Sequence, residues 1–467
     1  MVRFRSSFPR KLWLGILFAA WLLPGRATAQ TFNSQSPGLN CSPAPCVLPP
    51  IQASERGAEV ADAPIAADPL NPQHLLVGSS DFNCPGSSSG FHFSPDGGSN
   101  WNHTCMPVVR GNGRIYIPGG EPMVGFDRNG VAYIADVYGD TEGLGYGLIA
   151  FQSSSSGKSW TPPKLAWADA HHFPIESWMV VDTSPTSPFI NTLYLSLVVL
   201  NEPAQTQNQL VVAHSNDGGK HWIDVDVVPV QISPSGESYT NMVVGRDGTV
   251  YLSFMYCNVG PGFCQDNRGH MMFTKSTDGG NTWSKPVLTA TVHLGGLPNA
   301  MVGVDDYPAI GVDNSDGPYS GSLYVSMYDW TGSQMRVQVV RSTDGGSTWS
   351  KPVPVAPLSE THDQFFPWLS LGPTGLVGVS WLDRRNDPAN IDYQAFAAIS
   401  RDGGQSFRPD IQLTTAFSNP NVNGYPQNLW MGNYTGNTWA GSDFIAAWMD
   451  SSNGVDMQDV VGGIRVK

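Results

Sequence analysis

Ser276-Thr-Asp278-Gly-Gly280-Asn-Thr282-Trp283 and Ser342-Thr-Asp344-Gly-Gly346-Ser-Thr348-Trp349 are two copies of one octapeptide, Ser-x-Asp-x-Gly-x-Thr-Trp, and its recurrence fixes the architecture before any chemistry is considered. Ser94-Pro-Asp96-Gly-Gly98-Ser-Asn100-Trp101 and Ser215-Asn-Asp217-Gly-Gly219-Lys-His221-Trp222 change only the Thr position. Ser400-Arg-Asp402-Gly-Gly404-Gln-Ser406-Phe407 also changes the aromatic, and a sixth copy, Ser153 to Trp160, has Ser155 where the Asp should stand.

Each copy reads as a tight hairpin turn. An Asp carboxylate can accept backbone N–H groups a few residues on, Gly supplies a positive φ, and the aromatic folds beneath as a plug. Asp96, Asp217, Asp278, Asp344 and Asp402 are therefore structural residues rather than ligands. The series is the Asp box, and the chain resembles the sialidase-like Asp-box, or BNR-repeat, β-propellers. That resemblance implies a fold more than an activity, since the family holds glycosidases, lyases and proteins with no catalysis.

Between the octapeptides a strand, a short turn and a second strand ending in a polar residue occur seven times: Ala63 to Asp81, Glu121 to Asp136, Trp178 to Asn201, Asn241 to Asn258, Pro308 to Asp329, Pro367 to Asp383, and Leu429 to Asp450. Starts about sixty residues apart suit four-stranded propeller blades. The seventh unit runs out of chain after Val460 to Val466, and Val47 to Ser54, which looks like Pro352 to Ser359, can supply its missing strand. The expectation is an all-β, seven-bladed propeller of antiparallel blades, its last blade closed by an N-terminal strand that hides both sheet edges. Six blades with an unpaired tail is the alternative.

The first 29 residues read as a secretory signal: Arg3, Arg5, Arg10 and Lys11, an apolar run from Leu12 to Leu23, then Ala27-Thr28-Ala29. Residues 30–57 form an N-terminal segment with the closing strand, and 58–467 the propeller. A secreted or periplasmic product without membrane insertion is expected. Export suits the six cysteines, which pair as sequence neighbours: Cys41 with Cys46, Cys84 with Cys105, and Cys257 with Cys264. Their spacing does not suit zinc. With five of the 25 basic residues leaving in the signal, 20 face 39 acids, a net −19. Such a surface argues against nucleic acid or an anionic membrane as partner.

Function is expected on the face carrying the loops that leave second strands and enter first strands. The residues ending the second strands, Asp81, Asp136, Asn201, Asn258, Asp329, Asp383 and Asp450, form a ring able to bind sugar hydroxyls or a hard cation such as Ca²⁺, or merely to cap strands. Loops entering first strands add Glu121, Glu176, Glu237, Asp305, Asp306 and Asp363, with His171, His172 and His362 nearby. Converging carboxyls are what glycoside hydrolysis uses. No metal site is assigned.

The resemblance implies more specific roles. Sialidases use a Tyr nucleophile with an acid beside it, which points to Tyr239 with Glu237 and Tyr307 with Asp306. They clamp the substrate carboxylate with arginines, for which Arg110, Arg114, Arg268, Arg384 and Arg385 are candidates. Asp383-Arg384-Arg385-Asn386-Asp387, after Trp381, is the densest polar cluster and the first choice; a salt-bridged loop is the other reading. Trp330, Trp381 and Trp448 lie where indoles stack on sugars or fill the core. The Phe/Tyr-Arg-Ile-Pro motif of sialidases is missing, with only a loose echo in Arg114 to Pro118, and a seventh blade is a further departure. Three functions follow: a secreted sialidase-like glycoside hydrolase acting as a monomer on a terminal, acidic sugar of an extracellular glycan; a non-catalytic glycan- or protein-binding propeller; or a polysaccharide lyase with a His or Tyr base.

Overall fold

A computed structural model of the protein describes residues 38–467 apart from 56, 112, 141–144, 155–156, 202–206, 233–234, 261–262, 265 and 423–429. The expected export signal, Ser155 and Leu429 lie outside the described residues. Those described form seven antiparallel sheets and no helix.

Blade 1 comprises Ile65–Ala67, Leu75–Asp81, Gly90–Ser94 and Asn102–Cys105, with Val60–Ala61 extending its first strand. Blade 2 holds Arg114–Phe126, Ala132–Asp140, Tyr146–Ser153 and Lys164–Asp169, with Val109–Gly111 added at the inner edge. Blade 3 holds His172–Val181, Leu193–Asn201, Gln207–Ser215 and Ile223–Ile232. Blade 4 holds Ser235–Val244, Val250–Gly260, Arg268–Ser276 and Val287–His293. Blade 5 holds Ala309–Val312, Leu323–Trp330, Met335–Ser342 and Val353–Pro354; blade 6 holds Gln364–Leu371, Val377–Asp383, Gln394–Ser400 and Asp410–Gln412. Blade 7 takes Gly436–Ala440, Asp443–Asp450 and Gln458–Arg465 from the C-terminus and Cys46–Gln52 from the N-terminus.

The first strands of successive blades touch one another in a closed ring. Second strands are sandwiched between neighbouring blades, so both their faces are dry and their sequences are near-continuous apolar runs: Leu193 to Val199 is buried throughout. Closure is by backbone pairing of the two chain ends, Val47 opposite Ile464 and Ile51 opposite Val461. Six octapeptides for seven blades now have a physical reason. The turn joins third to fourth strands within blades 1 to 6, whereas the fourth strand of blade 7 arrives from the other end of the chain and needs no such turn.

In the five turns that carry the Asp, its carboxylate accepts the N–H four residues on, in Asn100, His221, Thr282, Thr348 and Ser406, at 2.8 to 3.0 Å. The leading Ser oxygen accepts the N–H of the second Gly at 2.8 to 2.9 Å. The sixth turn keeps that Ser bond, Gly157 to Ser153, which explains why the motif survives there. Disulfides join Cys41 to Cys46, Cys84 to Cys105 and Cys257 to Cys264.

Two boundaries differ from expectation. Second strands in blades 2, 4 and 5 run on to Asp140, Gly260 and Trp330, so Asp136 is a fully buried mid-strand residue rather than a rim group. Glu121, Glu176 and Glu237 lie inside first strands, not on loops, because those strands continue past a bulge near the axis.

The turn glycines also seat each blade on the one before. Gly346 has φ +87°, and a Cβ added there would lie 2.1 Å from the Phe273 ring of blade 4. Gly346→Ala therefore combines backbone strain with overpacking, and a loss of about 2–4 kcal/mol is expected in denaturant unfolding. A loss under about 0.5 kcal/mol would show that the turn does not seat the blade.

Candidate functional site at the propeller axis

The first strand of each blade must bend as it passes the axis, and bulges accomplish this. Register shifts between Gly120 and Met123, Ile175 and Trp178, Ser238 and Asn241, and Phe365 and Trp368 break the ladder in blades 2, 3, 4 and 6. At each shift a non-glycine residue sits in the left-handed region: Glu121 (φ 71°), Glu176 (φ 53°), Tyr239 (φ 53°) and Phe366 (φ 49°), while Asp62 (φ 62°) interrupts the first strand of blade 1. Counting two residues back from where pairing resumes gives Tyr307 and Tyr434 in blades 5 and 7.

These positions form an acidic and aromatic cluster. Glu121 accepts the Ser177 N–H of blade 3 at 3.1 Å, Glu176 accepts the Tyr239 N–H of blade 4 at 2.9 Å, and Asp62 accepts the Asn433 N–H at 2.6 Å. The Tyr239 hydroxyl donates to Asp305 Oδ1 at 2.7 Å. Beneath them lies an aromatic plug. Trp178 and Trp368 meet across the axis at 4.7 Å, Tyr307 packs on Tyr239 at 4.9 Å and on Tyr434 at 5.1 Å, and the Tyr434 hydroxyl donates to the Pro122 carbonyl at 2.9 Å. Tyr307, Trp368 and Tyr434 pack together beside Asp305 and leave no cavity that would admit a water molecule.

Burial dominates the electrostatics. It pushes Glu176 up to about 8, helped by the Asp305 charge and opposed by the Tyr239 N–H. It raises Asp305 to about 6, held there by the Tyr239 hydroxyl, and Asp62 to about 6. Glu121 lies well above the ordinary range through burial and the neighbouring Glu176. Tyr239 is likewise held well above the usual phenol range, so it stays protonated.

Of the residues singled out in the sequence, Tyr239, Tyr307, Asp305, Glu121 and Glu176 meet at the axis. The expected partner of Tyr239, Glu237, does not reach it: the Tyr239 hydroxyl is bound to Asp305, while Glu237 Oε2 is buried with no hydrogen-bond partner among the described residues, its carboxyl pushed up to about 7 by burial. Asp306 turns away to accept the Tyr328 N–H at 2.9 Å. Asp383 is buried and takes the Trp381 indole N–H at 2.8 Å and Arg385 at 2.6 Å; Arg385 also pairs with Asp410, and Trp381 is core. Arg384 has no exposed side-chain surface and is bound to Pro298 O and Asp363. Arg114 pairs with Asp140 in blade 2, and Arg268 stands exposed at the start of a third strand. The Asp383 to Asp387 segment is thus a salt-bridged loop in this structure, folded onto the protein rather than presented to a ligand. Trp448 is buried too, with its indole toward Asp450.

Asp62, Trp178, Trp368 and Tyr434 belong to the cluster and were missed. Glu176-Ser-Trp178 and Phe366-Pro-Trp368 share one spacing, a signal that could have found the two Trp. Among the described residues no group of three or more His, Cys, Asp or Glu is arranged to hold a metal ion.

No family model matches the chain, and no curated protein matches it. Among solved structures it is similar to a protein of unknown function from Dyadobacter fermentans (14% identity, TM-score 0.49, covering 91% of this chain and 100% of that one). It is also similar to an intramolecular trans-sialidase from Ruminococcus gnavus (11%, 0.45, 72% and 91%) and an α-L-arabinofuranosidase from Fusarium graminearum (10%, 0.43, 75% and 96%). Likenesses this distant say nothing of the chemistry at this axis.

Two buried acids, Asp62 and Glu237, and two half-buried ones, Glu176 and Asp305, set a pH dependence. Glu176, Glu237, Asp62 and Asp305 bind protons more tightly folded than unfolded, at about 8, 7, 6 and 6. Their contribution to stability is fully present below the unfolded carboxyl range near about 4 and is lost as pH rises through 6 to 8. Scanning calorimetry should show a melting temperature that falls from pH 5 to pH 8. A rise over that interval would contradict the assignment.

Proposed function

We propose that the protein is an exported carbohydrate-active propeller that hydrolyses a glycosidic bond at its axial mouth, acting as a monomer on a terminal sugar of an extracellular glycan. The observation that carries this reading is Tyr239, which binds two carboxyls from different parts of the ring, Glu176 through its N–H and Asp305 through its hydroxyl. Two carboxyls whose environments push them apart, to about 8 and about 6, divide into an acid and a base near neutral pH. Glu176, still protonated, is placed to give its proton to the leaving oxygen. Asp305, ionised, is the second carboxylate, attacking the sugar or activating water. Tyr239 is a positioning residue in this scheme, since its phenol stays protonated and donates to Asp305.

The aromatic plug is the apolar surface nearest the two carboxyls, and because its rings are packed too closely to admit a water molecule, a sugar ring has to displace side chains to stack there. Charge narrows the sugar. Among the described residues no arginine pairs with Glu176 or Asp305, and an acidic mouth repels a substrate carboxylate. A neutral or basic sugar fits better than the acidic one that a sialidase takes. The three disulfides fit an extracellular or periplasmic site of action.

The test is release of fluorophore from a panel of neutral, amino and acidic glycosides. Hydrolysis should follow a bell with limbs near pH 6 and pH 8, set by Asp305 and Glu176. Glu176→Gln and Asp305→Asn should each lose at least about 10²-fold in kcat, and Tyr239→Phe should move the lower limb upward because Asp305 loses the donor that favours its charge. If folded protein releases nothing from any glycoside, hydrolysis is excluded, and binding of glycans at the same mouth, read on an array with Tyr239→Phe as control, becomes the function.

A further inference from the structure

The Asp383 to Asp387 loop has no ligand-facing arginine, yet it holds a buried cation with a specific target. Arg384, in blade 6, donates to the Pro298 carbonyl at 2.5 Å, 86 residues earlier in the chain, and lies 3.5 Å from Asp363. Pro298 belongs to the strandless link from Leu294 to Pro308 that joins blade 4 to blade 5 and delivers Asp305 to the axis. The same link is tied at neighbouring residues. Asn299 Nδ2 donates to the Ala389 carbonyl at 3.2 Å, and Met301 N donates to Asn421 at 2.7 Å. Asp363, which faces Arg384, is itself held by the Asn390 amide at 2.6 Å and the Met335 N–H at 2.8 Å. Beyond these ties Val302 and Val304 are buried in the apolar cluster that includes Phe365 and Tyr393, so the link has little freedom between Pro298 and Asp305.

We propose that Arg384 is a positioning residue for the axial site: through Pro298 it sets where the blade 4 to blade 5 link places Asp305, and hence the pairing of Asp305 with Tyr239. This rests on the reading of Glu176 and Asp305 as the working carboxyls. A buried guanidinium suits the role because it stays charged, and its Nη1 alone meets both the carbonyl and the carboxylate, Nε and Nη2 being buried without a hydrogen-bond partner among the described residues.

The experiment uses the full mature chain with Arg384→Met, Arg384→Lys and Asn299→Asp. The Asn299 change tolerates the left-handed conformation there (φ 56°), removes the amide donor to blade 6, and guards against failure of the Arg384 variants to fold. Three readouts are taken: amide exchange across 294–308, titration of Asp305 followed by the infrared carboxyl band that Asp305→Asn abolishes, and glycoside hydrolysis. In Arg384→Met and Asn299→Asp, exchange in the link should quicken at least tenfold while the second strands stay protected. Asp305 should titrate about one unit lower as its burial loosens, and turnover should fall by roughly 10-fold to 10²-fold. Arg384→Lys should lie between. Folded variants with unchanged exchange and an unchanged Asp305 band would overturn the proposal. If the wild-type protein cleaves no glycoside, the hydrolytic reading fails alone, because exchange and titration still decide whether Arg384 places Asp305.

Discussion

The break in the hydrogen-bond ladder where first strands pass the axis, a register shift in blades 2, 3, 4 and 6, is the constraint on which the rest of the structure depends. Seven strands cannot converge on one line without bending, and each bend leaves backbone groups unpaired in a place water does not freely reach. A buried N–H without an acceptor costs about 1–3 kcal/mol. Here the acceptor is a carboxylate from another blade: Glu121 serves Ser177, Glu176 serves Tyr239, and Asp62 serves Asn433. The fold thus draws acids to its centre for a structural reason. Burial then raises their proton affinity, and acid–base chemistry becomes available as a consequence.

Closure of the ring makes this arrangement rigid. A propeller sealed by backbone pairing of its two ends has no free sheet edge at the seam, and the axial residues are held by contacts from all sides. The Trp178 and Trp368 contact joins blades 3 and 6 across the axis, and the Tyr434 bond to Pro122 joins blade 7 to blade 2 past blade 1, so the aromatic plug is a joint product of several blades. Such a site is preorganised by the fold itself and needs few supporting loops.

The fold was largely legible in the sequence, and the site only in part. Local chemistry specifies the octapeptide turns, and repetition specifies the blade number, since each blade must bury the same faces. The closing strand could be read because the seventh unit lacked one. The axial pairings could not, for a reason visible at Tyr239. Glu237 and Tyr239 are two apart and would share a face in a regular strand, but the shift between Ser238 and Asn241 breaks that parity, and the hydroxyl finds Asp305 instead. Arg384 and Arg385 misled for another reason. A dense polar run looks exposed until distant partners are known, and Pro298 and Asp410 lie far from it in sequence.

The most direct test of the account is a crystal structure of the protein soaked with whichever neutral or amino monosaccharide competes best for it. The account predicts a sugar ring seated over Tyr307 and Trp368, with its anomeric carbon between Glu176 and Asp305. A sugar bound instead beside Arg385 on blade 6, or on the outer strands with the axis empty, would contradict it.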